Sequence, residues 1–289
     1  MSSQGYEFLT EVFQRFDKDK DGALSPSELK SFTTQSQILE LPKGFITDSN
    51  GYITLQGFMA FWSMITFLDA STTFKCCAVF GFWLKDDLTN CVKIYKRRDR
   101  KRNYRGVFQC WVVGAIGSGK TSILNSFINK QEGLYACTRS MYNVVNSVEI
   151  SGSEKYLIMQ ELSQEDLPLL ETPCCDVVLY VYDSTDVNSF TYIQNLRNQY
   201  PNNLPSVFVA TKSDGEFVVQ KTNVEEYCHD KGKVAVVSVK KREFGDLFGI
   251  LVEAAVDGGV KKPVDRTAAI AGSAVVCVLV AFLVYRLLK

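Results

Sequence analysis

Gly114-Ala115-Ile116-Gly117-Ser118-Gly119-Lys120-Thr121 fits the phosphate-binding pattern G-x-x-x-x-G-K-[ST] at every required position. Its glycines let backbone N–H groups close around phosphates, Lys120 reaches the terminal phosphates, and the Thr121 hydroxyl is suited to hold Mg2+. The expected cradle comprises Gly114, Gly117, Ser118, Gly119, Lys120, Thr121 and Ser122. Upstream, Val-Phe-Gln-Cys-Trp-Val-Val at 107–113 has the β-branched and aromatic composition of a buried strand. Downstream, Ile123, Leu124, Phe127 and Ile128 recur at helical spacing. Strand, glycine loop and helix in that order predict nucleotide binding. A plain glycine-rich turn would not need Lys120 and Thr121.

Beyond this loop the chain alternates. Segments 144–150, 156–160, 177–182, 207–211 and 234–238 read as strands, and 188–200, 223–231 and 243–256 as helices. Such alternation implies a mostly parallel sheet covered on both faces, with ligands at the carboxyl ends of its strands. Thr211-Lys212-Ser213-Asp214 closes one of these strands. A carboxylate at Asp214 accepts hydrogen bonds from the N1–H and exocyclic amine of guanine. Adenine has no such paired donors on that edge and would leave the carboxylate unpaired. The stem of Lys212 packs over base or ribose, and Ser238, ending the last strand, offers a backbone N–H to the base carbonyl. GTP or GDP with Mg2+ is the expected cofactor set.

A second signature lies near the start. Asp17-Lys18-Asp19-Lys20-Asp21-Gly22-Ala23-Leu24-Ser25-Pro26-Ser27-Glu28 matches a twelve-residue calcium loop. Asp17, Asp19 and Asp21 supply carboxylates at positions one, three and five, and Ala23 offers its carbonyl at seven. Ser25 serves position nine and Glu28 the bidentate clamp at twelve, with Gly22 at the sharp turn. Leu9, Val12, Phe13 and Phe16 mark the incoming helix. Such hands pair, and residues 46–57 align as a second loop through Gly51 and Ile53. Ile46 and Gly57 stand where the first carboxylate and the clamp belong, so this loop is expected to be a structural partner without metal. Ile53 is placed to pair with Leu24. The apolar run from Phe58 to Trp83 is broken by Asp69 and Lys75, which favours two buried helices over a membrane span.

The 289 residues carry 32 basic and 32 acidic side chains, so the charge balance gives no sign of a nucleic-acid partner. Nine cysteines without zinc spacing fit reduced thiols. Seven of the ten residues 96–105 are Lys or Arg, read as a solvated linker, to which a membrane-facing basic patch near anionic headgroups is the further reading. Residues 267–285 are uncharged and long enough to cross a bilayer, with Arg266 and Arg286 on the two flanks. They read as a tail anchor with the preceding chain facing the cytosol. Basic flanks and small residues favour the outer mitochondrial membrane.

In this order the calcium loop, the degenerate hand, the phosphate loop, Thr211–Asp214 and the apolar tail resemble the C-terminal part of the mitochondrial Rho (Miro) GTPases. The phrases Ala23-Leu24-Ser25-Pro26, Glu154-Lys155-Tyr156-Leu157 and Cys175-Asp176-Val177-Val178 carry the same resemblance. It covers nearly the whole chain, without a counterpart of the N-terminal GTPase domain that family members carry. The resemblance implies calcium-responsive control of mitochondrial trafficking, distribution or morphology through motor-adaptor proteins. Ras-like GTPases also place a D-x-x-G segment after the third strand, with a water-orienting glutamine next to it. Here the stretch is Glu161-Leu162-Ser163-Gln164-Glu165, and Gln164 is one position off as the catalytic candidate. Ile116 adds bulk where small residues admit water and a trans-acting arginine. The switch threonine is open between Thr138 and Ser147.

The expected architecture is therefore multidomain. An all-α EF-hand pair with following helices spans 1–84 and a basic linker 85–106. An α/β P-loop (Ras-like) GTPase domain spans 107–258, a linker 259–266 and a transmembrane helix 267–285. The expected activity is slow GTP hydrolysis. The alternative is a non-catalytic, calcium-sensing membrane adaptor with a structurally bound guanine nucleotide.

Overall fold

A computed structural model describes residues 1–36, 44–93, 105–129, 143–172, 174–216, 221–229, 232–238, 241 and 243–257. The anchor segment 267–285, the linker 259–266, most of the basic stretch 96–105, and Thr138 lie outside them. Among the described residues no helix is long and apolar enough to cross a membrane.

The N-terminal part is built from four helices. α1 (Ser3–Phe16) starts where Ser2 Oγ accepts the Gly5 N–H, and buries Leu9, Val12, Phe13 and Phe16 as one stripe. α2 (Pro26–Ser36) opens on a proline, whose missing N–H costs nothing in a first turn. Two short strands, β1 (Ala23–Leu24) and β2 (Ile53–Thr54), pair antiparallel with Leu24 opposite Ile53, as expected. α3 (Leu55–Leu68) is capped by Thr54, whose side chain accepts from the Gly57 N–H. α4 (Ala70–Val79) is capped by Asp69, which accepts from the Ser71 N–H and the Thr72 hydroxyl. The apolar run is thus two helices divided at Asp69.

Aromatic packing holds this module together. Phe80, at the end of α4, stacks on Phe32 of α2 at 5.5 Å and meets Phe16 edge-on at 5.6 Å, while Phe82 meets Phe8 at 5.1 Å. α4 and the following 3-10 turn therefore pack against both helices of the first hand. Burying each such side chain contributes about 1.5–3 kcal/mol. Residues 88–92, read from the sequence as linker, carry Cys91 and Val92 into the same core.

The second part is a six-stranded sheet of β3 (Val107–Gly114), β4 (Asn143–Ile150), β5 (Ser153–Glu161), β6 (Val177–Asp183), β7 (Ser206–Thr211) and β8 (Lys233–Val236). Their order is β4-β5-β3-β6-β7-β8, with β4 antiparallel to β5 and every other pair parallel. Side chains alternate between faces. Phe108, Cys110 and Val112 pack with α5 (Lys120–Phe127) and α8 (Leu247–Asp257). Trp111, Val113 and Tyr180 face the opposite side, with α6 (Val187–Gln199) and α7 (Lys221–Cys228). β6 is buried along its whole length, as a central parallel strand should be.

The hairpin β4–β5 belongs to both parts. Val145, Tyr156 and Ile158 share one apolar core with α1 and α3, and Tyr6 stacks on Tyr156 at 5.9 Å. The edge of β4 is closed by the chain before the second hand, where the Val145 N–H donates to the Gly44 carbonyl at 2.7 Å. A Cβ on Gly44 would lie 1.8 Å from the Asn143 carbonyl oxygen, so only glycine fits. Gln56 Nε2 donates to Ser147 Oγ at 2.7 Å. Residues Met1–Gly258 accordingly form one compact unit.

Candidate functional site

The phosphate loop leaves β3 at Gly114. A Cβ there would meet the Val181 carbonyl oxygen at 2.2 Å, so the first loop position admits no side chain. Gly117 and Gly119 take φ of 78° and 93°, the left-handed conformation that glycine adopts without strain. Lys120 opens α5 and is buried, its Nζ donating to the Gly114 and Ala115 carbonyls at 3.0 and 2.9 Å. Thr121 donates to Glu161 Oε2 at 2.7 Å, and Glu161 Oε1 lies 3.6 Å from Lys120 Nζ. Glu161 thereby joins both phosphate-handling side chains from the end of β5. Ser122 follows Thr121 on α5, half-buried, and Ser118 Oγ is buried with no partner among the described residues.

The base end is stitched across strands. The Thr211 hydroxyl lies within donating distance of the Ser118 carbonyl at 2.7 Å and the Tyr182 carbonyl at 3.0 Å, tying the base loop to the phosphate loop. Lys212 Nζ donates to Asp183 Oδ2 at 2.5 Å. Asp214 Oδ1 accepts from the Ser238 hydroxyl at 2.9 Å. These residues and Glu161 lie at the carboxyl ends of parallel strands, the ligand edge of such a sheet. One detail differs from the sequence reading. The Ser238 N–H, expected to face the base, instead donates to the Glu243 carbonyl at 2.9 Å, and the serine meets Asp214 through its hydroxyl. Asp183 is not singled out from sequence, where an acidic residue ending a wholly buried strand is the available signal. Glu161 is read there at the head of the D-x-x-G counterpart, but without its bridge to Lys120 and Thr121.

The hydrolytic end is less complete. Gln164 is exposed in a turn closed by Ser163 Oγ, which donates to Asp166 Oδ2 at 2.6 Å. Ile116 is 92% exposed at the loop. Ser147 drops out as a switch residue. It pairs with Tyr156, which pairs with Val107 at the opposite end of β3 from Gly114, roughly 20 Å away at the usual rise per strand residue.

In the calcium loop, oxygens of Asp17, Asp19 and Asp21 lie within 4.8 Å of one another. The loop is organised by its own amides. Asp17 Oδ2 accepts from the Gly22 N–H at 3.1 Å, and Asp21 Oδ1 from the Ala23 N–H at 2.8 Å. Glu28 is buried, accepting from the Lys18 and Ser25 N–H groups and from the Ser25 hydroxyl. Asp17 Oδ1 is buried with no partner among the described residues, the mark of an oxygen awaiting a cation. The Asp21 amide pulls the Asp19 carboxyl down, but burial and the charges of Asp21, Glu28 and Asp17 raise it on balance. A hard divalent ion would relieve that repulsion, so the donor set fits Ca2+. In the second loop Asp48 Oδ1 is taken by the Asn50 and Tyr52 N–H groups. A Cβ on Gly57 would stand 2.1 Å from the Ile46 carbonyl oxygen, so backbone contact fills the place of the carboxylate clamp.

Comparison with known proteins follows the same order along the chain. Residues 9–33 match an EF hand, 39–106 the EF hand associated family, and 109–246 the Ras family. Mitochondrial Rho GTPase 1 of Cryptococcus neoformans is 42% identical over 280 residues, 87% of this chain and 41% of that protein. The chain belongs to the mitochondrial Rho GTPase family. The Mycosarcoma maydis relative of the same name is 36% identical, covering 93% of this chain and 44% of its own length. That of Neurospora crassa is 33% identical, with 99% and 51% covered. The chain thus spans two-fifths to half of these mitochondrial Rho GTPases, and within that span an EF-hand module precedes a Ras-like domain.

Proposed function

We propose that the chain is a calcium-binding GTPase unit whose apolar tail anchors it in the outer mitochondrial membrane, its bulk in the cytosol. There it would act in mitochondrial trafficking, distribution or morphology through motor-adaptor proteins. The observation that carries the nucleotide reading is the Ser238–Asp214 hydrogen bond at 2.9 Å, which orients a carboxylate on the base loop, itself tied through Thr211 to the loop that holds Lys120 and Thr121. A carboxylate so fixed accepts two guanine donors and is left unpaired by adenine. Thr121 and Glu161 would hold Mg2+ at the phosphates; Asp17, Asp19, Asp21, Ser25, Glu28 and the Ala23 carbonyl would hold Ca2+. The membrane role rests on residues 267–285 and on the family's mitochondrial name. Extraction and chromatography of the nucleotide carried by purified protein tests the first part: guanine nucleotide is expected, and adenine nucleotide would refute it.

A second reading has one observation in its favour. Gln164 is exposed in its turn, which suits an adaptor that retains GTP as a structural ligand. Retention of GTP with no cleavage would favour that reading.

A further inference from the structure

Asp183 ends β6 beside the base loop and belongs to neither nucleotide motif. Its Oδ1 accepts from the Thr185 N–H at 2.9 Å and the Thr185 hydroxyl at 2.7 Å, while its Oδ2 accepts from Lys212 Nζ at 2.5 Å. The Asp183 residue is 7% exposed, whereas the Lys212 side chain is half exposed. A carboxylate buried to that extent needs a charged partner, and Lys212 supplies it. Burial tends to raise the Asp183 carboxyl, but Lys212 and Thr185 outweigh it and hold it below its ordinary value, ionised at neutral pH.

The lysine is constrained from its backbone as well. Lys212 has φ of 56°, a left-handed conformation that non-glycine residues seldom take. The Gly215 N–H donates to its carbonyl at 2.9 Å, and the Ser184 N–H donates to the Thr211 carbonyl at 3.1 Å. The backbone bond to Gly215 thus holds one end of the side chain and Asp183 the other. An unanchored lysine stem is flexible, and its strongly hydrated head group turns to water.

We propose that Asp183 is a positioning residue of the nucleotide site, anchoring the Lys212 ammonium so that the lysine stem stands as a fixed wall against base and ribose and slows nucleotide release. The inference rests on the guanine-nucleotide reading of the pocket. Asp183 acts through Lys212, so the two residues form one device.

Dissociation of a fluorescent GDP analogue from the full chain tests it. Asp183→Ala is expected to release GDP roughly threefold to tenfold faster, the loss of one partly exposed charge-assisted bond. Lys212→Met keeps an apolar stem without its anchor and is expected to show a similar acceleration. Adding Asp183→Ala to Lys212→Met should then change nothing further. Thr185→Val, which removes one of the other bonds to Asp183, should stay near the wild-type rate and thereby separate anchoring from loop integrity. Additive effects of Asp183→Ala and Lys212→Met would overturn the proposal, as would an unchanged rate in Asp183→Ala while Asp214→Ala abolishes guanine preference. If the wild-type chain itself shows no guanine preference, the underlying reading fails instead.

Discussion

At the base end of the nucleotide pocket Thr211, Lys212 and Asp214 each reach a partner on another segment, respectively Ser118 and Tyr182, Asp183, and Ser238. At the hydrolytic end Gln164 is exposed in a short turn, and Ile116 stands 92% exposed over the phosphate loop. The two ends therefore differ in preorganisation. Binding needs fixed donors and acceptors, whereas cleavage of GTP also needs an oriented water and charge stabilisation at the transferring phosphoryl group. The base end has the fixed acceptors and ties that the first requires. For the second the described residues offer Lys120 and Thr121 with Glu161, while Ile116 stands exposed at the third loop position.

The sharpest way to break this comparison is at the base. Asp214→Ala is expected to weaken GDP binding about a hundredfold or more, because a charge-assisted pair of hydrogen bonds to guanine is lost. Competition binding with GDP and ATP checks it; undiminished GDP preference would move base recognition elsewhere. Glu28→Gln should weaken Ca2+ binding roughly tenfold to a hundredfold by removing the charged clamp, read by calorimetry. Glu161→Gln is expected to weaken Mg2+-dependent retention of GDP several-fold up to about tenfold, since the carboxylate beside Thr121 is replaced by an amide, a poorer ligand for a hard cation. Titrating GDP release against Mg2+ reads that shift, and an unchanged Mg2+ midpoint would remove Glu161 from the metal site. Acid should expose the Asp183 anchor. The Asp183 carboxyl lies below its ordinary value of 3.8, so its contribution is complete above that value and fades as pH falls through the lower folded one. GDP release should therefore show no Asp183-linked change between about pH 5 and 8. The smallest effect is expected at Gln164→Ala, within about twofold of the wild-type hydrolysis rate, because its exposed side chain is held by no partner among the described residues that would orient a water.

Much of this fold is legible in the sequence because its signals are local. Strand–loop–helix order around Gly114–Thr121, the Leu24 and Ile53 pairing, and the break at Asp69 each depend on residues within one motif or one pair of aligned loops. The docking of the EF-hand module is not legible. Tyr6 on Tyr156 and Gly44 on Val145 join residues about a hundred or more positions apart, and neither leaves a periodic trace. The site divides in the same way. Lys120, Thr121, Thr211 and Asp214 follow from motif chemistry, whereas Asp183 earns its place only once β6 and β7 lie side by side. The misassigned N–H of Ser238 has a like cause, since its bridge to Glu243 depends on how the chain turns after β8.

The difference between the two ends of the pocket is tested most directly by single-turnover hydrolysis of GTP preloaded on the purified chain, without any added protein. The expected rate is on the order of 10⁻⁴ s⁻¹ or slower, that of a Ras-like site lacking a supplied arginine, with GTP still bound long after mixing. Unaided cleavage on the order of 1 s⁻¹ would contradict the account, because it would require a water-orienting and charge-stabilising arrangement that Gln164, Glu161 and Ile116 do not provide.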